Sequence, residues 1–234
     1  MASIKDDKGY NQGFKRTKTF KIRIERRAQM MINQMDELTT NSKILEIGCG
    51  TGEISNYIAK NTKANVTGID ICDPFINIAK EEFKHPNLNF LKKDFLEFNV
   101  MADSKYDYII GNGILHHLYF NLEYSLESIY KMLKENGKII FMEPNIYNPY
   151  CFLIFNYLRN WANLDPEEKA FSRNYIKKRL LKTNYNKIRI YYRDFLLPNT
   201  PFLVVPLVVF LSDILERIFP VNRITQSIFI IAGK

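Results

Sequence analysis

The chain has 234 residues, 46 % of them hydrophobic and 25 % charged, a globular composition long enough for one domain with a buried core. Its three cysteines, Cys49, Cys72 and Cys151, show no C-x-x-C spacing and no even framework, which argues for a reducing, cytoplasmic compartment and against a zinc site; no metal is expected. The net charge of +8 is uneven: residues 1–30 carry nine Lys/Arg against three acids, residues 172–234 carry eleven against three, and the stretch between is acidic, a distribution that points to an anionic membrane surface or nucleic acid as partner.

Met1 to Phe20 is polar and basic with no apolar run, so no signal peptide is expected. Residues 1–40 read as a basic cap segment ahead of a domain over 41–234. From there, apolar strand-like runs alternate with helix-like runs, the pattern of βαβ units around a parallel sheet. The expected strands are Lys43–Gly48, Asn65–Asp70, Leu88–Lys92, Tyr106–Gly111 and Lys138–Glu143, with helices over Ile54–Lys60, Pro74–Phe83 and Asn121–Glu135. Phe75, Ile78, Ala79 and Phe83 give the second helix one apolar face. Gly137, after the basic turn Lys131-Met132-Leu133-Lys134, reads as the stop of the third. Residues 144–171, rich in proline and aromatics, read as an insert. A helix over Ser172–Lys182, N-capped by Ser172, and two more strands, Lys187–Phe195 and Gln226–Ala232, follow, with a second insert over 196–225 between those strands.

The most informative stretch is Ile44-Leu45-Glu46-Ile47-Gly48-Cys49-Gly50-Thr51-Gly52, a short buried strand entering a glycine-rich turn with a helix directly behind it. Such a turn lets a nucleotide-like ligand lie against bare main chain at the carboxyl end of a first strand. A dinucleotide fingerprint places Gly or Ala three residues after its second glycine; that slot here is Glu53, whose carboxylate repels a pyrophosphate. A ligand without phosphate suits it better. The chain here resembles the class I S-adenosylmethionine-dependent methyltransferases, whose first motif looks like Glu46-Ile47-Gly48-Cys49-Gly50-Thr51-Gly52.

The resemblance covers residues 40–145 strongly and implies a Rossmann-like α/β fold: a seven-stranded, mostly parallel sheet with its last strand antiparallel, a three-layer sandwich, and an apolar helical insert before that strand. It implies S-adenosyl-L-methionine as cofactor, bound at Glu46, Gly48, Cys49, Gly50, Gly52, Asp70, Ile71, Asp94, Phe95 and Asn112. In that scheme Asp70, ending the second strand, accepts the ribose hydroxyls. Asp94 takes the adenine amino group and the Phe95 amide meets the ring. The main chain near Asn112 receives the cofactor's amino group, and Glu46 acts indirectly. Cys49 is expected to be a small packed side chain. Tyr10 is a candidate to fold over the cofactor, as N-terminal segments do in this family, or belongs to a tail.

His116 and His117 lie just past the fourth strand, where an acceptor approaches in this family, and are the candidate catalytic residues. Methyl transfer from a sulfonium needs a base only when the acceptor must lose a proton, a task suited to imidazole. The alternative is a turn in which one ring caps or packs. Asn112-Gly113-Ile114-Leu115 is not an Asn-Pro-Pro-Tyr motif, and no Pro-Cys pair exists. The Leu-His-His-Leu form resembles the branch that methylates quinones, sterols, phospholipid heads and natural products, so the expected acceptor is a small molecule or lipid.

Pro201 to Leu211 is eleven uninterrupted apolar residues, short of the roughly 20 a spanning helix needs. An interfacial or re-entrant segment is expected, against a buried hairpin or a dimer contact. With Lys15, Arg16, Lys18, Lys21, Arg23, Arg26 and Arg27 it suggests a peripheral protein on the inner face of an anionic membrane. An RNA methyltransferase is the main rival, though nucleic acid has no use for the apolar segment. A non-catalytic cofactor-binding or assembly subunit is the rival of another class. The oligomeric state is not legible.

Overall fold

The computed structural model describes residues 16–96, 105–162, 164–198 and 200–234. Tyr10 and Lys15, singled out above, lie outside the described residues. Seven strands form one sheet in the order β3-β2-β1-β4-β5-β7-β6: β1 (Lys43–Ile47), β2 (Asn65–Asp70), β3 (Leu88–Lys92), β4 (Tyr106–Asn112), β5 (Leu133–Pro144), β6 (Asn186–Arg193) and β7 (Ser227–Gly233). Strands β1 to β5 pair in parallel, and β7 runs antiparallel between β5 and β6. This is the Rossmann-like sheet with an antiparallel last strand. The order reverses between β1 and β4, so their carboxyl ends open a crevice, the position where such sheets bind ligands.

The strands are buried on both faces because consecutive apolar residues point to opposite sides. Leu45, Ile47, Ile109, Ile139, Ile228 and Ile230 face one layer, built from α4 (Leu122–Met132) and α6 (Arg173–Lys182). Ile44, Val66, Ile110, Ile140 and Ile231 face the other, which holds α1 (Lys18–Ile32) and α2 (Glu53–Asn61). Helix α3 (Asp73–Glu82) sets Ile76 and Ala79 against Phe90 and Cys49 beside the glycine turn. Helix α5 (Pro149–Asn156), capped by Asn148, fills the first insert, and α7 (Val205–Leu215) the second.

Two expectations are corrected. The helix over 121–135 ends at Met132, because Leu133 already pairs with Tyr106. The next pair, Tyr108 with Lys138, leaves a bulge in which Asn136 and not Gly137 takes the left-handed conformation (φ 65°).

Within the basic N-terminal stretch, Lys18–Ile32 is a folded helix. Thr17 caps α1 by accepting from the Phe20 amide, and Ile24, Ala28 and Met31 are buried against the sheet. On the same stripe Arg23 and Arg27 are buried, so neither can meet a membrane surface. Arg27 donates to Asp194 Oδ2 (2.7 Å), Asn112 Oδ1 (2.7 Å), Gln226 Oε1 (2.7 Å) and Ser227 Oγ (2.8 Å). Arg23 donates to Gln226 Oε1 (2.6 Å) and the Leu196 carbonyl (3.0 Å). Burial, and next the charge of Arg27, hold the Arg23 guanidinium down at about 9. Arg16 pairs with Glu53 and Glu82, and Arg26 with Asp213.

Removing one partner of a buried ion pair strands the other charge, at about 3–5 kcal/mol. Arg27→Ala is therefore expected to lower the unfolding free energy by about that amount in denaturant titration. Arg27→Ala with Asp194→Ala should lose less than the two single changes together. Strict additivity would mean that the pair is not coupled.

Candidate active site

Strand β1 delivers the chain into a turn where Gly48, Gly50 and Gly52 all have positive φ (68°, 53° and 86°). A Cβ on Gly52 would stand 2.6 Å from the Phe90 ring in a backbone region that L residues avoid. On Gly50 a Cβ would meet nothing within 4 Å. The turn is closed below and open above, a cradle of bare main chain. Asp70, at the end of β2, accepts from the Gly50 amide through Oδ2 (2.8 Å) and from the Cys72 amide through Oδ1 (2.9 Å). The carboxylate that braces the turn is only partly withdrawn from solvent. Burial raises its proton affinity, and these amides oppose the shift.

Glu46 lies beneath the turn, bonded to the helix behind it. Its Oε2 accepts from the amide (2.9 Å) and hydroxyl (2.5 Å) of Ser55 and so fixes the first turn of α2 to β1. Burial pushes its carboxyl up to about 8. Glu53, on the first turn of α2, accepts from Thr51 Oγ1 (2.7 Å) and pairs with Arg16 Nε (2.6 Å). The place where a phosphate would sit on this helix is filled by the chain's own carboxylate, so the donor set fits an adenosyl ligand without phosphate.

Of the other expected cofactor residues, Cys49 is buried, its thiol pushed well up by that burial. Ile71 is half-buried beside Asp70. Asp94 is exposed past the end of β3 and accepts from the Leu96 amide (2.9 Å), while the Phe95 side chain belongs to the core. The Asn112 side chain is turned to Arg27, which leaves its main chain as the part available to a ligand.

His116 and His117 occupy a 3-10 turn, Leu115–Asn121, directly after β4. Glu143, near the end of neighbouring β5, holds this turn. Its Oε1 accepts from the amides of Ile114 (3.0 Å) and Leu115 (2.8 Å), and its Oε2 accepts from His116 Nδ1 (2.9 Å) and the His116 amide (3.2 Å). The second imidazole is held by Glu168, from the first insert: His117 Nδ1 lies 3.0 Å from Glu168 Oε1. A carboxylate only accepts, so His116 Nδ1 donates its proton to Glu143. The two rings lie 4.1 Å apart. His116 is buried and its proton affinity lowered, by burial and then by His117, with Glu143 and Glu168 opposing. Glu143 and Glu168 are the residues the sequence reading missed. Glu143 carried a usable signal, an acid at the carboxyl end of a strand; Glu168, inside an insert, carried none.

Residues 38–188 match the family described as "Methyltransferase domain". The malonyl-[acyl-carrier protein] O-methyltransferase 1 of Ilyobacter polytropus is 32 % identical over 187 residues, covering 75 % of this chain and 64 % of the relative. The phosphoethanolamine N-methyltransferase of Plasmodium falciparum is 31 % identical over 105 residues, 44 % of this chain and 40 % of the relative. The chain thus spans less than two thirds of the length of these relatives. Among solved structures, an S-adenosylmethionine-dependent methyltransferase from Archaeoglobus fulgidus superposes with a TM-score of 0.67 at 21 % identity, covering 92 % of this chain and 94 % of that one, a likeness of fold.

Two measurements check the cofactor side. Asp70→Ala is expected to weaken S-adenosylmethionine binding by about ten- to a hundredfold in calorimetry, the loss of hydrogen bonds to a charged group; unchanged affinity would remove Asp70 from the site. Glu46 is protonated more readily folded than unfolded, so its contribution to stability is full below its ordinary 4.5 and lost as pH rises through about 8. Glu46→Gln keeps an oxygen for Ser55 and cannot ionise. It should gain on the wild type in thermal unfolding as pH climbs through that window, and a constant difference would refute the assignment.

Proposed function

The chain belongs to the class I S-adenosylmethionine-dependent methyltransferases, and on that premise we propose that it methylates a small-molecule or lipid-like acceptor seated against His116 and His117, at a membrane surface. The observation that carries the reading is the pair of imidazoles at the carboxyl end of β4, each held at Nδ1 by a buried carboxylate, beside the glycine turn. The cofactor supplies the reactive methyl on its sulfonium. What the chain supplies is orientation. Glu143 ties three consecutive amides and one ring into a single rigid turn, so the acceptor face is fixed before the acceptor arrives. The imidazoles promote loss of the acceptor's proton, in the simplest case as a general base through Nε2.

Three features support a small or lipid-like acceptor. The Leu-His-His-Leu turn belongs to that branch by resemblance. The relatives named above are described as acting on a malonyl group carried by a protein and on phosphoethanolamine. The second insert leaves its apolar side chains in solvent: Leu203 is 90 % exposed, and Phe202, Leu207, Phe210, Ile218 and Phe219 are exposed with it. That exposure speaks against a buried hairpin and favours an interfacial segment. Lys18 lies over the Phe202 ring (5.3 Å), which puts a cation at the rim of the apolar strip even though Arg23 and Arg27 are withdrawn. No described helix is long and apolar enough to cross a membrane. An RNA acceptor would leave this strip without a role.

His116→Ala and His117→Ala are each expected to cut turnover by about 10²–10⁴, the range for positioned acid–base groups, with cofactor affinity unchanged. Full turnover in both would end the assignment. Co-sedimentation with anionic vesicles should persist at high salt and fall with Leu203→Asp combined with Phe210→Asp. A protein that stays in the supernatant at low salt has no membrane role.

A further inference from the structure

The cluster around His117 has a chemistry beyond that of a paired base. One ring nitrogen of His116, one of His117 and a carboxylate oxygen of Glu168 lie within 4.8 Å of one another. His116 Nε2 stands 3.8 Å from Glu168 Oε2, and His117 Nδ1 stands 3.0 Å from Glu168 Oε1. A first-row divalent cation held at about 2.0–2.2 Å keeps its donors no more than about 4.4 Å apart; both imidazole–carboxylate separations fall within that limit, and the cluster as a whole has only to draw in slightly to close on an ion. Glu168 is 4 % exposed, and its Oε2 has no hydrogen-bond partner, a costly state for a buried carboxylate oxygen. Among the described residues no lysine or arginine forms a salt bridge with the Glu143 or Glu168 carboxylate; the Arg159 guanidinium donates to the Glu168 main-chain carbonyl (3.0 Å) and not to its carboxylate.

The surroundings complete the pattern. Glu143 accepts from His116 Nδ1 (2.9 Å) and leaves Nε2 aimed at Glu168, the carboxylate–histidine arrangement that orients and strengthens a metal-ligating imidazole. Two imidazoles and one carboxylate suit zinc, manganese or iron(II) rather than calcium or magnesium. Three protein ligands leave positions open, as in catalytic rather than structural sites.

We propose that His116, His117 and Glu168 bind one divalent transition-metal ion at the acceptor face, with Glu143 orienting His116. The cation lies between the two imidazoles and Glu168 and takes an oxygen of the acceptor at an open position. There an acceptor hydroxyl, enol or carboxyl group releases its proton to water and presents an oxyanion, held for attack on the methyl carbon as the carbon–sulfur bond breaks. The imidazoles then serve as ligands in place of direct bases. This rests on the reading that the acceptor sits against these rings, and it narrows the acceptor to one with an ionisable oxygen. Sequence spacing gives no hint of the site, since Glu168 comes from an insert remote from the histidine pair.

The test is calorimetric titration of the chelator-treated full chain with Zn2+ and Mn2+, followed by absorption spectroscopy with Co2+. One equivalent is expected to bind with micromolar or tighter affinity. Glu168→Gln and His117→Ala should each weaken binding at least tenfold and alter the Co2+ spectrum, while S-adenosylmethionine affinity, measured on the same samples, confirms that each variant is folded. No binding by the wild type at about 100 μM metal, or equal binding by both folded variants, overturns the site. Cofactor binding and metal-free turnover separate the two ideas: full methyl transfer in chelator overturns the metal's role and leaves the methyltransferase reading standing, whereas absence of cofactor binding defeats that reading whatever the metal does.

Discussion

A guanidinium taken out of water needs partners for its donors, and Arg27 finds four acceptors that draw separate parts of the molecule together. Its bonds reach Asp194 past the end of β6, Gln226 and Ser227 at the start of β7, and Asn112 at the end of β4, all from helix α1. The N-terminal helix, the two C-terminal strands and the rim of the crevice are therefore fixed relative to one another by one side chain. Asp194 is fastened in turn: its amide donates to Glu216 Oε1 (2.8 Å) and its carbonyl accepts from the Gln226 amide (2.7 Å). Thr19 donates to the Thr200 carbonyl (3.0 Å), which pins the apolar insert to the same helix. The apolar strip is thus presented from a braced platform.

Around the crevice the organising groups are the carboxyl side chains of three acids. Glu46 joins β1 to α2, Asp70 joins β2 to the glycine turn, and Glu143 joins β5 to the turn after β4. Each accepts main-chain amides at the carboxyl end of a strand, where amides of the next turn would otherwise lack partners. A site made this way is rigid before any ligand binds, as an enzyme whose contribution is orientation requires. His116 is held in that frame by Glu143, and its ring orientation follows from that acid.

The length of chain set between β5 and β6 has a similar effect on the turn that carries the two histidines. The first insert returns beside the sheet through the Asn145–Phe171 bridge, and on the way it carries Glu168 to His117. The segment therefore does more than cover an edge of the sheet, because it brings a carboxyl group beside His117.

The sequence by itself determined the fold family and the cofactor turn. Gly48, Gly50 and Gly52 sit on one uninterrupted strand–turn–helix, and the conformation they need is local, so consecutive residues encode it. The seven strands were legible because their apolar runs are contiguous, and Asp70 because a strand end places it. Only the tertiary structure decided what the charged residues do. Arg23 and Arg27 look like surface cations until Asp194, 167 residues from Arg27, is brought beside them. His116 is defined by Glu143 across the parallel register of β4 and β5, and His117 by an acid in an insert. The local pattern fixes where a backbone turns, but whether a charge is buried, paired or left facing a ligand depends on partners that the chain supplies from far away.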